Sequence, residues 1–180
     1  MDKSMLPSLT DFDIYKPGYI RKVDKRGHWK PEDCHDLETR AKAASERVFK
    51  ANSENLHSLW YIETAEQFYG MIADLSAERP HKNQDIDFVW IDAEELTLAS
   101  IELIPSPGKH CVFVSNLHVN ARIDPVIAEK LCLIMMQADR EAQRCKKKQH
   151  TTPMLEYQTG KGCKATETSR EHCDCEVVNP

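Results

Sequence analysis

Six side chains in the C-terminal part of the chain have metal-binding chemistry: Cys145, His150, Cys163, His172, Cys173 and Cys175. Thiolate and imidazole are the donors that zinc takes in tetrahedral sites. The runs Cys145-x4-His150 and His172-Cys173-x-Cys175 would let a zinc ion staple the tail, and a segment without a core pattern can be ordered by metal alone. Neither spacing is that of a zinc finger, and no C-x-x-C pair occurs. The plainer reading is a set of solvent-facing residues. The chain has no G-x-S-x-G elbow, Walker loop, dinucleotide glycine motif or H-E-x-x-H. Neither a hydrolase with a serine elbow nor a nucleotide-binding enzyme is therefore supported.

Any site depends on the elements that position it, and residues 86–158 carry the strongest apolar pattern. Ile86, Phe88, Val89, Trp90 and Ile91 make a β-branched and aromatic run that suits a half-buried strand. Asp92, Ala93, Glu94 and Glu95 read as a polar hairpin connection to a second strand over 96–104, which Pro105, Ser106, Pro107 and Gly108 end. A third strand over 111–119 opens on Cys111, Val112, Phe113 and Val114. It is apolar on both faces and so is expected in the middle of a sheet. Asp124 as N-cap and Pro125 as first helical residue begin a helix. Ile127, Leu131, Ile134, Ala138, Ala142 and Cys145 recur at spacings of three and four, and Lys146, Lys147 and Lys148 suit its negative end. Residues 154–158 read as a returning strand, which would make 111–158 a β-α-β crossover with parallel strands.

Upstream, residues 1–18 read as a polar arm without period. A first strand is expected over 19–23, and Pro31 opens a helix with Leu37, Ala41, Ala44 and Val48 on one face. Residues 59–62 are strand-like. Thr64 and Gln67 form a T-x-x-Q capping box before a helix bearing Phe68, Ile72 and Leu75. The expectation is a single α/β domain over 19–158, with 159–180 as a polar tail.

At 180 residues, 41% hydrophobic and 29% charged, the chain has the size and composition of one globular domain. A net charge of −5 lacks the basic balance that phosphate neutralisation needs, which argues against a nucleic-acid partner. No apolar run nears the ~20 residues of a membrane span, and the first residues hold no apolar signal core. A cytoplasmic protein is the expectation, with no disulfide framework among the seven cysteines. Cys111 and Cys132 read as buried thiols.

The order strand, helix, helix, three strands, helix, strand resembles the GNAT acyltransferase superfamily over residues 19–158. The local match is the run from Cys111 through Val114, Ser115, Asn116, Leu117 and His118 to Val119, followed by the Pro125 helix. The resemblance implies an α/β (α+β) fold with a mixed sheet flanked by helices, and acyl-CoA-dependent N-acyltransfer from acetyl-CoA to a small-molecule or protein amine. It implies a cofactor cleft lined by Val119, Arg122, Ile123, Asp124, Pro125 and Val126, where backbone N–H groups and a positive helix end hold a pyrophosphate. His118 would be a base near the thioester and Tyr157 a general acid; the plainer alternatives are an ordinary strand-end histidine and an ordinary strand aromatic. The family's loop reads R/Q-x-x-G-x-G or A. Here Arg122 is kept, but Pro125 and Ile127 replace both small residues, and Asp124 adds a negative charge. Proline removes a donor and isoleucine crowds a phosphate, so a degenerate, non-catalytic relative is a second form of the same expectation. A non-enzymatic protein-interaction module on the same scaffold is the alternative.

A third reading is similarity to the PD-(D/E)xK nuclease core, with Asp87 and Glu102 as the magnesium-binding pair. The motif's lysine position is Ile104. The plainer reading puts both carboxylates on the solvent side of a hairpin.

Overall fold

Strand residues in this chain place apolar side chains on both faces, so each strand needs cover above and below. Ile20 and Val23 fall into different core clusters, as do Trp60 and Leu59, and Phe88 and Val89. The structure, a computed structural model, describes residues 8–31, 34–77, 85–106, 116–147 and 149. The elements are β1 (Gly18–Val23), α1 (Leu37–Val48), β2 (Leu56–Ile62), α2 (Ala65–Ala77), β3 (Ile86–Ile91), α3 (Ala93–Leu98), β4 (Glu102–Pro105), β5 (His118–Arg122), α4 (Pro125–Gln137) and β6 (Ala142–Cys145). The strands form one six-stranded sheet in the order β4-β5-β2-β1-β3-β6. Every pair in it is antiparallel. The class is α+β, with helices on both faces of the sheet.

On one face α1, α3 and α4 cover Leu59, Val89, Ile91 and Ala121. Ala41, Ala44 and Ala128 are fully buried here; such small side chains let α1 and α4 approach each other closely. On the other face α2 brings Phe68, Tyr69, Met71 and Ile72 onto Ile20, Trp60, Ile62, Phe88 and Trp90. Phe12, Phe68 and Phe88 interlock there, with ring centroids 5.0 Å apart for Phe12–Phe68 and 5.4 Å for Phe68–Phe88. Each such ring contributes about 1.5–3 kcal/mol on burial. Gly18 permits a close crossing: a Cβ there would lie 2.4 Å from the Trp90 ring and 2.7 Å from the Ile91 carbonyl oxygen. Among the described residues no helix is long and apolar enough to cross a membrane.

Several expectations change. Residues 8–17 are no patternless arm. Leu9–Phe12 is a 3-10 helix with a Ser8/Asp11 capping box, and Phe12 and Ile14 are buried in the second core. The first helix begins at Leu37, capped by Asp36, rather than at Pro31. The expected strand over 96–104 is α3 followed by a short β4. Its supposed hairpin connection is a D-x-x-E capping box, in which Asp92 N–H donates to Glu95 Oε2 at 2.7 Å and Glu94 N–H to Asp92 Oδ1 at 3.0 Å. Helix α4 stops at Gln137, not near Lys146. Asp139 turns left-handed (φ 54°) and donates its N–H to Met136 O, which closes the helix. Ala142 and Cys145 belong to β6, where a spacing of three puts them on opposite faces: Ala142 joins the first core and Cys145 the second. The strand after α4 pairs antiparallel with β3. The returning strand expected over 154–158 lies outside the described residues, as does 107–115.

Candidate functional site

The residues expected to line a cofactor cleft meet where β5 runs into α4. Val119 packs toward the α1–α4 core. Arg122 ends the strand, and its Nε pairs with the exposed Glu102 at 3.1 Å. Ile123 is buried and donates its N–H to Asn55 O at 2.8 Å. Asp124 then caps α4: its Oδ1 accepts the Ile127 N–H at 2.8 Å, and its carbonyl accepts that of Ala128 at 2.8 Å. Pro125 brings no N–H. Among the described residues, only the N–H of Val126, whose side chain is 77% exposed, remains for a ligand in the first turn. An anion placed there would also face the Asp124 carboxylate. The structure thus brings these six residues together, but their polar groups serve the helix start and the strand pair.

His118 begins β5, at the far end of the strand from Arg122, about 13 Å away at ~3.3 Å per residue. It is buried; its Nδ1 lies 2.8 Å from the Ser106 carbonyl oxygen, to which it donates, and its ring meets Trp60 edge-on at 5.3 Å. Tyr157 lies outside the described residues.

Of the metal candidates, Cys145 is buried in the second core. Burial, and after it Asp85, pushes its thiol up to about 12, which disfavours the thiolate that a metal needs. His150, Cys163, His172, Cys173 and Cys175 lie outside the described residues, as does Cys111. Among the described residues no three His, Cys, Asp or Glu side chains gather as a metal site. Cys132 is buried as expected, and burial raises its pKa. Asp87 and Glu102 are not brought together. Their strands stand four places apart, about 19 Å at ~4.8 Å per strand. The two carboxylates also occupy opposite faces. Glu102 is solvent-exposed, as the plainer reading had it. Asp87 is not: it is buried and held by Arg144 in two contacts of 2.7 and 2.9 Å.

Sequence reasoning missed a polar corner at the other end of the sheet. Asp92 and Glu95, each 5% exposed, start α3 where β3 ends. Arg140 Nε donates to Glu95 Oε1 at 2.8 Å, and a second guanidinium nitrogen lies 3.6 Å from Asp92 Oδ2. The Lys16 ammonium also pairs with Asp92. Burial pushes the Asp92 carboxyl up, but Lys16, the Glu94 N–H and Arg140 outweigh it and hold it below the usual carboxylate value. Trp29 Nε1 donates to Arg140 O at 2.7 Å, so the turn after α4 is clamped from both sides.

Against this turn lies a cavity of about 180 Å³, walled by Phe12, Trp90 and Tyr15 and by the polar residues Asp13, Asp139, Arg140, Glu141 and Gln143. Gln143 Nε2 donates to Asp13 Oδ2 at 2.8 Å, and the Tyr15 hydroxyl donates to Asp13 Oδ1 at 3.2 Å. The legible signals were the D-x-x-E box and the apolar pair Phe12 and Ile14 within a polar stretch. No family model matches the chain, and no curated protein and no solved structure matches it.

Proposed function

We propose that the protein is a non-enzymatic interaction module that receives a side chain of a partner protein in the cavity between residues 12–15 and the β3–β6 edge. The observation that carries this reading is the cavity and its scale. About 180 Å³ is small against the roughly 300–1,000 Å³ of sites that enclose drug-sized ligands, and suits one side chain better than a coenzyme. Tyr15 stands at its rim, 74% exposed, and tyrosine is enriched among the residues that anchor protein interfaces. The engaged donors at the start of α4 favour this role over acyl transfer.

The test replaces Tyr15 with a photo-crosslinking residue in cells that make the protein, with the same residue at Lys42 on α1 as control. The expected result is a discrete adduct from position 15 that position 42 does not give. Identical patterns from the two positions would remove the reading. So would saturable stabilisation by acetyl-CoA, which at 100 times its Kd amounts to about 2.7 kcal/mol and would restore the acyltransferase.

A further inference from the structure

The cavity has more negative charge than its own architecture uses. Asp13, Asp139 and Glu141 line it against a single guanidinium, Arg140, whose nitrogens engage Glu95 and Asp92. Glu141 is met by the Lys30 ammonium. The donors to Asp13 are the neutral groups of Gln143 and Tyr15. No cationic side chain among the described residues pairs with Asp13 or Asp139. The apolar part of the wall is aromatic: Phe12, Trp90 and Tyr15.

These two kinds of wall together select one class of occupant. Aromatic faces carry negative potential and attract cations. An anion would meet three carboxylates. A neutral apolar group would desolvate them without replacing their lost hydration. A bare divalent ion does not fit either, since among the described residues no three carboxylates converge on one point. We infer that the cavity binds an organic cation, a guanidinium or ammonium group on an apolar stem, as an arginine or lysine side chain of the partner presents it. The inference rests on the cavity being the receptor proposed above. The same group could arrive on a free small molecule, and the experiment separates the two sources.

Backbone conformation makes the variants clean. Asp13 and Asp139 have φ of 55° and 54°, a region that asparagine also adopts readily. Asp13→Asn with Asp139→Asn therefore removes charge and keeps both turns; an unchanged melting temperature would verify this. The full-length chain is titrated with n-butylguanidinium, n-butylammonium and the neutral isostere n-butylurea, following the Trp90 indole N–H signal by NMR. The expected result is saturable binding of the cations with Kd near ~1 mM. The neutral isostere should bind about tenfold more weakly, and the double variant should lose about tenfold for the cations.

Equal binding of n-butylurea would overturn the charge assignment and leave a receptor that reads shape. No response to any probe would overturn both this inference and the receptor. A capped arginine tripeptide binding at least as well as n-butylguanidinium supports the partner side chain. Exclusion of the tripeptide, with the free cation still bound, would overturn that source in favour of a small molecule.

Discussion

The β5–α4 junction and the corner around residues 12–15 and 139–143 both place aspartates where a regular element meets a turn, yet they leave those aspartates in different states. Asp124 precedes its helix in an extended conformation, and its carboxylate folds back to accept the Ile127 N–H. Asp13 and Asp139 follow their helices in left-handed conformations. There the backbone closes the turn: Asp13 N–H reaches Thr10 O, and Asp139 N–H reaches Met136 O. An aspartate before a helix has its side chain consumed by capping. One after a helix closes the turn with its main chain, which leaves its carboxylate to neutral side-chain donors, as that of Asp13 is met by Gln143 and Tyr15, and its charge uncompensated by a cap. The residue type is the same; its side of the helix decides what it can do.

The corner half of this contrast breaks most visibly at Arg140. Arg140→Met leaves Glu95 buried without its cation and Asp92 with Lys16 alone. Removing one partner of a buried pair typically costs 3–5 kcal/mol. Because Arg140 is 27% exposed and Lys16 remains, about 3 kcal/mol is expected, read as a lower urea midpoint with unchanged slope. The n-butylguanidinium response of Trp90 should weaken in parallel as the 139–141 turn loosens. A loss below about 1 kcal/mol would mean that the ion network does not hold the corner in place.

The junction half carries a pH dependence. His57 is buried, edge-on to Phe49, and its pKa is lowered to about 4, by burial first and then by the Arg21 cation, against a hydrogen bond with the Ile123 backbone. The folded value lies below the ordinary 6.5, so the unfolded chain binds the proton more readily. The stabilisation is complete above pH 6.5 and is lost as pH falls through that value toward 4. Half of that shift alone corresponds to about 1.7 kcal/mol at ~1.4 kcal/mol per unit. His57→Gln should flatten urea stability across this window. The contribution of Asp92, depressed from 3.8, is lost only at lower pH, so the two ends of the sheet respond to acid in separate ranges. A slope that survives His57→Gln would locate the titrating group elsewhere.

Asp124→Ala tests capping directly. Loss of an N-cap carboxylate costs about 1 kcal/mol, expected as a reduced urea midpoint. It also frees the Ile127 N–H, yet acetyl-CoA should still produce no stabilisation, because Pro125 has no N–H to offer. Stabilisation by acetyl-CoA in this variant would show that one carboxylate had been closing a working anion site.

These local rules mark what the sequence made legible. Asp124 with Pro125, and Thr64 with Gln67, are legible as caps because capping is decided within four residues. Asp92 and Glu95 obey the same rule, but a short acidic stretch between two apolar runs also suits a hairpin connection, and that reading makes a strand of α3. The α4 boundary failed for a different reason. A spacing of three marks one helical face, but it also suits a strand that is buried on both sides, as Ala142 and Cys145 are. Only the left-handed turn at Asp139 separates the two readings, and an aspartate there gives a weaker signal than a glycine would. The corner site depends on Lys16, Asp92 and Arg140 meeting across 124 positions of chain. No periodicity encodes such a contact.

The smallest expected effect sharpens the junction further. Glu102 and Arg122 are 66% and 57% exposed, and exposed pairs of this kind contribute roughly 0–1 kcal/mol. Glu102→Gln should therefore leave the urea midpoint almost unchanged, and magnesium should stabilise the wild type and the variant equally, since Asp87 is buried behind Arg144 on the opposite face. The variant also releases Arg122, the residue that the GNAT resemblance puts nearest a pyrophosphate. If a first turn with the Val126 N–H alone to offer is what prevents anion binding, inorganic pyrophosphate will not raise the melting temperature of the variant above that of the wild type. A rise confined to the variant would show that Glu102, rather than Pro125 and Asp124, neutralises a latent phosphate site, and the contrast between the two ends of the sheet would then rest on a single surface carboxylate.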